Sequence, residues 1–118
     1  MDLKIEGKKA IICASSRGLG KACADSLGSE GVELIINGTD KKNLSDTEKE
    51  FLNKGYKVQS VLGLMEDEVT REALLQACPN PDILINNSGG PPPGNFFDWS
   101  KEDFLSAIKS NFTQSALL

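Results

Sequence analysis

Three groups of residues in this 118-residue chain have types and spacings suited to chemistry. The first is Cys13-Ala14-Ser15-Ser16-Arg17-Gly18-Leu19-Gly20, a run of small residues directly after an apolar stretch. Such a turn lets the backbone approach a pyrophosphate, and the first N–H groups of a helix opening there point at it. The second is Asn86-Asn87-Ser88-Gly89, which ends another apolar stretch, where paired amides are costly unless hydrogen-bonded. The third is Asn111, a polar residue on an otherwise apolar helical stripe. The chain has no histidine, which removes serine-protease triads, Cys–His dyads, HExxH zinc sites and Cys2His2 fingers. The cysteines Cys13, Cys23 and Cys78 are odd in number, scattered and without a CxxC pair, so no zinc site or disulfide framework is expected.

These groups need a fold to position them. The length suits one domain, and a chain this size buries roughly 65% of its unfolded surface without staples. A net charge of −4 argues against nucleic acid and anionic membrane as partners. Nothing marks export, since Ala10–Ala14, the longest apolar run near the start, is too short for a signal segment or a membrane span. A reduced, cytoplasmic setting is the expectation. The Asn-x-Ser/Thr triplets at Asn37, Asn43, Asn86 and Asn111 are then chance matches.

Apolar runs at Ala10–Ala14, Val32–Ile36, Lys57–Leu62 and Ile83–Ile85 read as strands, with Asn37-Gly38 as punctuation after the second. Between them lie helix-period stretches. The expected faces are Leu19, Ala22, Cys23, Ser26 and Leu27, then Leu44, Phe51 and Leu52, then Val69, Ala73, Leu74 and Ala77, with Cys78-Pro79 as a break. Strands apolar on both faces, each followed by a helix, predict an α/β fold with a doubly wound parallel sheet. Gly89-Gly90-Pro91-Pro92-Pro93-Gly94 reads as a stiff loop within the domain. Ser100-Lys101-Glu102-Asp103 has the form of a capping box opening a fourth helix, with Phe104, Ala107, Ile108, Asn111, Phe112 and Ser115 on one face. No Gly, Pro or basic cap follows at Ala116-Leu117-Leu118, so the expectation is a fold cut within a larger one.

Two well-known phosphate motifs fail at the first turn. A P-loop needs Gly at 15 and Ser or Thr at 22, where the chain has Ser15 and Ala22; GxGxxG counted from Gly18 meets Cys23 in place of the third glycine. A tight turn that merely needs two glycines is the bland alternative. The spacing resembles the Thr-Gly-x-x-x-Gly-x-Gly turn of the short-chain dehydrogenase/reductase family, with Cys13 for Thr, Ala14 for the first Gly, and Arg17, Gly18 and Gly20 in place. Asn86-Asn87-Ser88-Gly89 resembles that family's Asn-Asn-Ala-Gly, and the proline-rich loop resembles a subset close to 3-oxoacyl-carrier-protein reductases.

The resemblance implies a Rossmann-type sheet, incomplete and ordered 3-2-1-4, with helices on both faces. It implies a nicotinamide dinucleotide bound by Ala14, Ser15, Ser16, Arg17, Gly18, Leu19, Gly20, Gly38, Thr39, Leu64, Asn87, Ser88 and Gly89, with Asn86 tying neighbouring strands together. It places Asn111 in a catalytic tetrad with Ser, Tyr and Lys; the bland alternative is a buried amide bonded to its own helix. Family members with an acid near the adenine carry it where this chain has Gly63, so contact there relies on backbone. Gly38 replaces the Asp of NAD-preferring members, while Arg17, Thr39 and Lys41 are available to a 2′-phosphate, so NADP(H) is favoured over NAD(H). Asp40 has the spacing of a ribose-binding acid but is better placed to start the second helix. The family's Tyr-x-x-x-Lys is missing, since the single tyrosine, Tyr56, has Ser60 four residues on and reads as a surface residue. Residues 1–118 are therefore expected to be the cofactor-binding part of an oxidoreductase acting on a carbonyl or secondary alcohol, inactive alone, its parent a homo-oligomer. A non-catalytic dinucleotide module and a prematurely terminated product are the alternatives.

Overall fold

The computed structural model of the chain describes residues 2–87 and 98–109. Its elements are β1 (Lys9–Ile12), α1 (Gly18–Ser29), β2 (Glu33–Gly38), α2 (Lys41–Asn53), β3 (Val58–Leu62), α3 (Glu68–Ala77), β4 (Ile83–Ile85) and α4 (Lys101–Ile108). The strands form one parallel sheet in the order β3-β2-β1-β4, as expected. Ala10 pairs with Leu34 and Ile83, and Leu34 pairs in turn with Val58. Parallel neighbours cannot be joined by tight hairpins, so α1, α2 and α3 serve as the crossovers.

Alternation along the strands builds a core on each face of the sheet. Ala10, Ile12, Leu34 and Ile36 pack with Ala24 of α1 and with Leu44 and Phe51 of α2. Ile11, Cys13 and Ile35 pack on the other face with Met65, Leu74 and Cys78. Phe51 is fully buried, a contribution of about 1.5–3 kcal/mol. Among the described residues β4 is paired on one side only, and Leu84 is 40% exposed.

Several boundaries and faces differ from expectation for identifiable reasons. β1 ends at Ile12 rather than Ala14, because Ala14 takes a φ of 48°, which no strand residue adopts. β2 runs on through Asn37 and Gly38, which pair with Val61 and Leu62 instead of ending the strand. β3 begins at Val58, not Lys57. The buried stripe of α1 is Gly20, Ala24 and Gly28, while Leu19, Ala22, Cys23 and Ser26 are exposed. Small residues at that spacing let the helix lie close to the sheet, an advantage a hydrophobic pattern does not register. On α2, Thr47 joins Leu44 and Phe51 in the interior and Leu52 is exposed; on α3, Thr70 and Leu74 are buried and Val69 is exposed.

Tyr56 is not a bland surface residue. Its ring lies against Gly28 and 5.6 Å from the Phe51 ring, and its hydroxyl donates to Asp25 Oδ1 at 2.8 Å. Lys54 Nζ reaches the same oxygen at 3.0 Å. The Tyr56 hydroxyl, followed by Lys54, holds the Asp25 carboxyl below its ordinary value. The capping box of α4 forms as expected, with Asp103 N–H donating to Ser100 Oγ at 3.2 Å and Ser100 N–H donating to Asp103 Oδ2 at 2.8 Å. Phe104 and Ile108 on that helix are exposed. The proline-rich loop, Ser88, Gly89, Asn111, Phe112 and Ser115 lie outside the described residues.

Candidate functional site

The carboxyl ends of parallel strands are where open α/β sheets take ligands. The turn from Cys13 to Gly20 sits at that end of β1, and three features shape it. Ala14 and Gly18 both have left-handed backbones, with φ of 48° and 64°. Gly18 can hold that conformation freely, whereas Ala14 pays about 1–2 kcal/mol for its β-carbon there. Gly20 must lack a side chain, because a β-carbon would run into the Ala14 carbonyl oxygen and lie 2.9 Å from Asn87 Nδ2. Among the described residues a β-carbon on Gly18 would meet nothing within 4 Å, so none of them fills the space above the start of α1.

The helix that begins there has no side-chain cap and no acid in its first turn. The other helices are treated differently. Asp40 caps α2 by accepting from Asn43 N–H at 3.0 Å, α4 has its capping box, and α3 carries Glu68 in its first turn. Among the described residues, the N-terminus of α1 is the one with neither a side-chain cap nor an acid in its first turn, which suits it to an anion.

A buried amide that sequence reading treated as punctuation organises the site. Asn37 Oδ1 accepts from Ala14 N–H at 3.1 Å, and Asn37 Nδ2 donates to the Val61 and Gly63 carbonyls, both at 3.1 Å. Its backbone exchanges bonds with Ser15, whose N–H donates to the Asn37 carbonyl at 2.7 Å and whose hydroxyl accepts from Asn37 N–H at 2.9 Å. One side chain therefore links the ends of β1, β2 and β3. The signal for it was present, since a polar residue closing an apolar run is the same pattern that singled out Asn86-Asn87.

The structure brings most of the expected site residues to this edge. Ser15 is fully buried and donates to the Ile12 carbonyl at 2.8 Å, so its hydroxyl is committed within the protein. The Ser16 carbonyl accepts from Thr47 Oγ1 at 2.8 Å, which moors the turn to α2. Arg17 and Thr39 are exposed, Gly38 is buried, and Leu19 and Leu64 are exposed. Asn87 Nδ2 donates to the Ala14 carbonyl at 3.3 Å. This bond from the strand end to the first turn belongs to Asn87; Asn86, expected to tie the strands, is exposed. Gly63 has a φ of 148°, and a β-carbon there would collide with Thr70 Oγ1, so a side chain of any kind, acidic or not, is shut out beside Leu64.

Neither Cys13 nor Tyr56 supplies an acid or base to this edge. Burial pushes the Cys13 thiol up to about 11, with the Asn87 backbone opposing in part. Tyr56 precedes β3 and so lies at the opposite end of the sheet from the turn. Among the described residues no cluster of His, Cys, Asp and Glu could hold a metal ion.

Comparison with known proteins agrees with this geometry. The family model for short chain dehydrogenase matches residues 8–118. The chain is 34% identical to the uncharacterized oxidoreductase YvaG of Bacillus subtilis, aligned over 100% of this chain and 46% of that protein. It is 32% identical to the 3-oxoacyl-[acyl-carrier-protein] reductase FabG of Aquifex aeolicus, over 100% of this chain and 50% of that one. The chain thus spans about half the length of the curated relatives it matches. Among solved structures, L-sorbose reductase from Gluconobacter frateurii, complexed with NADPH and L-sorbose, superposes with a TM-score of 0.91 at 23% identity, covering 98% of this chain and 46% of that one. The sheet order, the glycine turn and the family match lead to one assignment: the chain belongs to the short-chain dehydrogenase family.

Proposed function

We propose that residues 1–118 form the dinucleotide-binding part of an oxidoreductase that moves hydride between NADP(H) and a carbonyl or secondary alcohol. The observation that carries this reading is the uncapped start of α1, opening from a turn in which Gly18 leaves clear space. The residues present fit such a ligand. Ser16 to Gly20 would offer backbone to the pyrophosphate, Gly38 and Thr39 would border the adenosine ribose, Leu64 the adenine, and Asn87 the adenosine side, a role the family resemblance extends to Ser88 and Gly89. When bound, the dinucleotide supplies the hydride or accepts it. The protein's part is to orient it, through the anion-favouring end of α1 and the stiff Asn37 framework behind it.

NADP(H) is favoured over NAD(H) by charge. Among the described residues the ion pairs involve Lys21, Lys54 and Lys57, which leaves Arg17 and Lys41 near the ribose outside any pair. Asp40 is engaged as the cap of α2. Asn111 is assigned to a proton relay whose phenol this chain does not contain, because Tyr56 is bonded to Asp25 far from the turn. The chain alone therefore binds without turning over. A homo-oligomeric parent and a cytoplasmic setting belong to the same proposal; three free cysteines accord with a reducing compartment. Among the described residues no helix is long and apolar enough to cross a membrane.

Equilibrium titration with NADPH and NADH tests the reading. NADPH is expected to bind more tightly, and equal affinity for the two would remove the 2′-phosphate preference.

A further inference from the structure

Gly38 stands about 20 residues beyond Gly18 of the turn, where dinucleotide-binding sheets that grip a ribose 2′-hydroxyl place an acid. Its backbone is open to any residue, since its φ is not in the left-handed region. What forbids a side chain is Ser16. A β-carbon on Gly38 would lie 2.8 Å from Ser16 Oγ and 2.9 Å from Ser16 Cβ, with Leu44 Cδ1 in ordinary contact at 3.5 Å on the other side.

Rotating the serine hydroxyl away cannot relieve this, because Ser16 Cβ is also too close and is fixed by the main chain. That main chain is moored, as the Ser16 carbonyl accepts from Thr47 Oγ1 at 2.8 Å. Gly38 is held from its own side, where its carbonyl accepts from Gly63 N–H at 3.0 Å and it pairs with Leu62. Neither backbone can withdraw without breaking a bond.

We propose that Ser16 is a specificity-determining residue of the cleft: its side chain fills the space over Gly38, excludes an acidic residue from the end of β2, and so reserves the ribose site for a 2′-phosphorylated dinucleotide. The proposal rests on the reading of the cleft as a nicotinamide dinucleotide site. Its consequence is that cofactor preference belongs to the pair and not to position 38 alone. An acid introduced at 38 is misplaced until Ser16 is removed.

The experiment compares the wild-type 118-residue chain with Ser16→Gly, Gly38→Asp and the double variant, each titrated with NADH and NADPH. Gly38→Asp alone is expected to weaken both ligands. The double variant is expected to prefer NADH by tenfold or more, the size of one charge-assisted hydrogen bond gained. A ligand-free cycle reads the same contact. Gly38→Ala is expected to lower the unfolding midpoint by about 4–10 °C with Ser16 present and to cost little in the Ser16→Gly background. Reversal of preference by Gly38→Asp alone, or an equal cost of Gly38→Ala in both backgrounds, overturns the proposal. If the wild-type chain binds neither dinucleotide, the function itself fails and the specificity role falls with it; a failed cycle with binding intact refutes the pairing only.

Discussion

Gly20→Ala probes the closest contact in the site. The added methyl would overlap the Ala14 carbonyl oxygen and stand 2.9 Å from both the Ala14 carbonyl carbon and Asn87 Nδ2. Overpacking of this kind costs about 1–3 kcal/mol. Forcing α1 outward also lengthens the 3.3 Å bond from Asn87 to the Ala14 carbonyl, worth about 1 kcal/mol. Against this, alanine is the better helix former by about 1 kcal/mol. The net expectation is a loss of about 1–3 kcal/mol, or roughly 4–12 °C in the midpoint for a chain of this size. Urea unfolding, with the slope checked for constancy, measures it. Gly18→Ala is the control, since among the described residues its β-carbon meets nothing within 4 Å and its penalty comes from the φ of 64°. A Gly20→Ala protein as stable as wild type, or more so, would mean that helix propensity outweighs the contact and that α1 does not lie as close to the turn as the structure has it.

Other outcomes follow from the same geometry. Asn37→Ala leaves the Ala14 N–H and the Val61 and Gly63 carbonyls without their partner, and a loss of about 2–4 kcal/mol is expected in urea unfolding; a loss below about 0.5 kcal/mol would show that the framework is not stressed by its removal. Tyr56→Phe removes the bond that lowers the Asp25 value and raises that of Tyr56. A depressed carboxyl stabilises above its unfolded value of 3.8, and a raised phenol stabilises below its unfolded value of 10.0, so the stability gap between wild type and Tyr56→Phe should be full between those limits and shrink outside them. A gap that stayed constant into acid would contradict the contact. Thiol titration of the native chain at pH 8 should modify exposed Cys23 quickly and leave buried Cys13 and Cys78 until denaturant is added; rapid native reaction of Cys13 would be inconsistent with a thiol at about 11.

The strands were legible because they are short apolar runs, and buried strands between helices pointed to a parallel sheet; their order came from the family resemblance. The caps were legible too, since Asp40 and Ser100 act locally through residues three positions on. What sequence reasoning missed depends on tertiary approach. The face of α1 was misread because its contact stripe is Gly20, Ala24 and Gly28, chosen for smallness rather than hydrophobicity. Asn37 looked like turn punctuation because its partners, Ala14, Val61 and Gly63, come from two other strand ends. The departure at Gly63 was visible, but its cause, Thr70 on α3, was not. Tyr56 was taken for a surface residue because Asp25 and Gly28 are distant in sequence.

The central claim is that the start of α1, with the glycine turn before it, holds a dinucleotide phosphate. It is tested most directly by the unfolding free energy of the wild-type chain with and without NADPH. At 100 times its dissociation constant, the ligand should add about 2.7 kcal/mol, and Gly18→Val, which places a bulky side chain in the open space above the helix, should abolish that gain. No stabilisation of the wild-type chain, or a gain that survives Gly18→Val, would contradict the account.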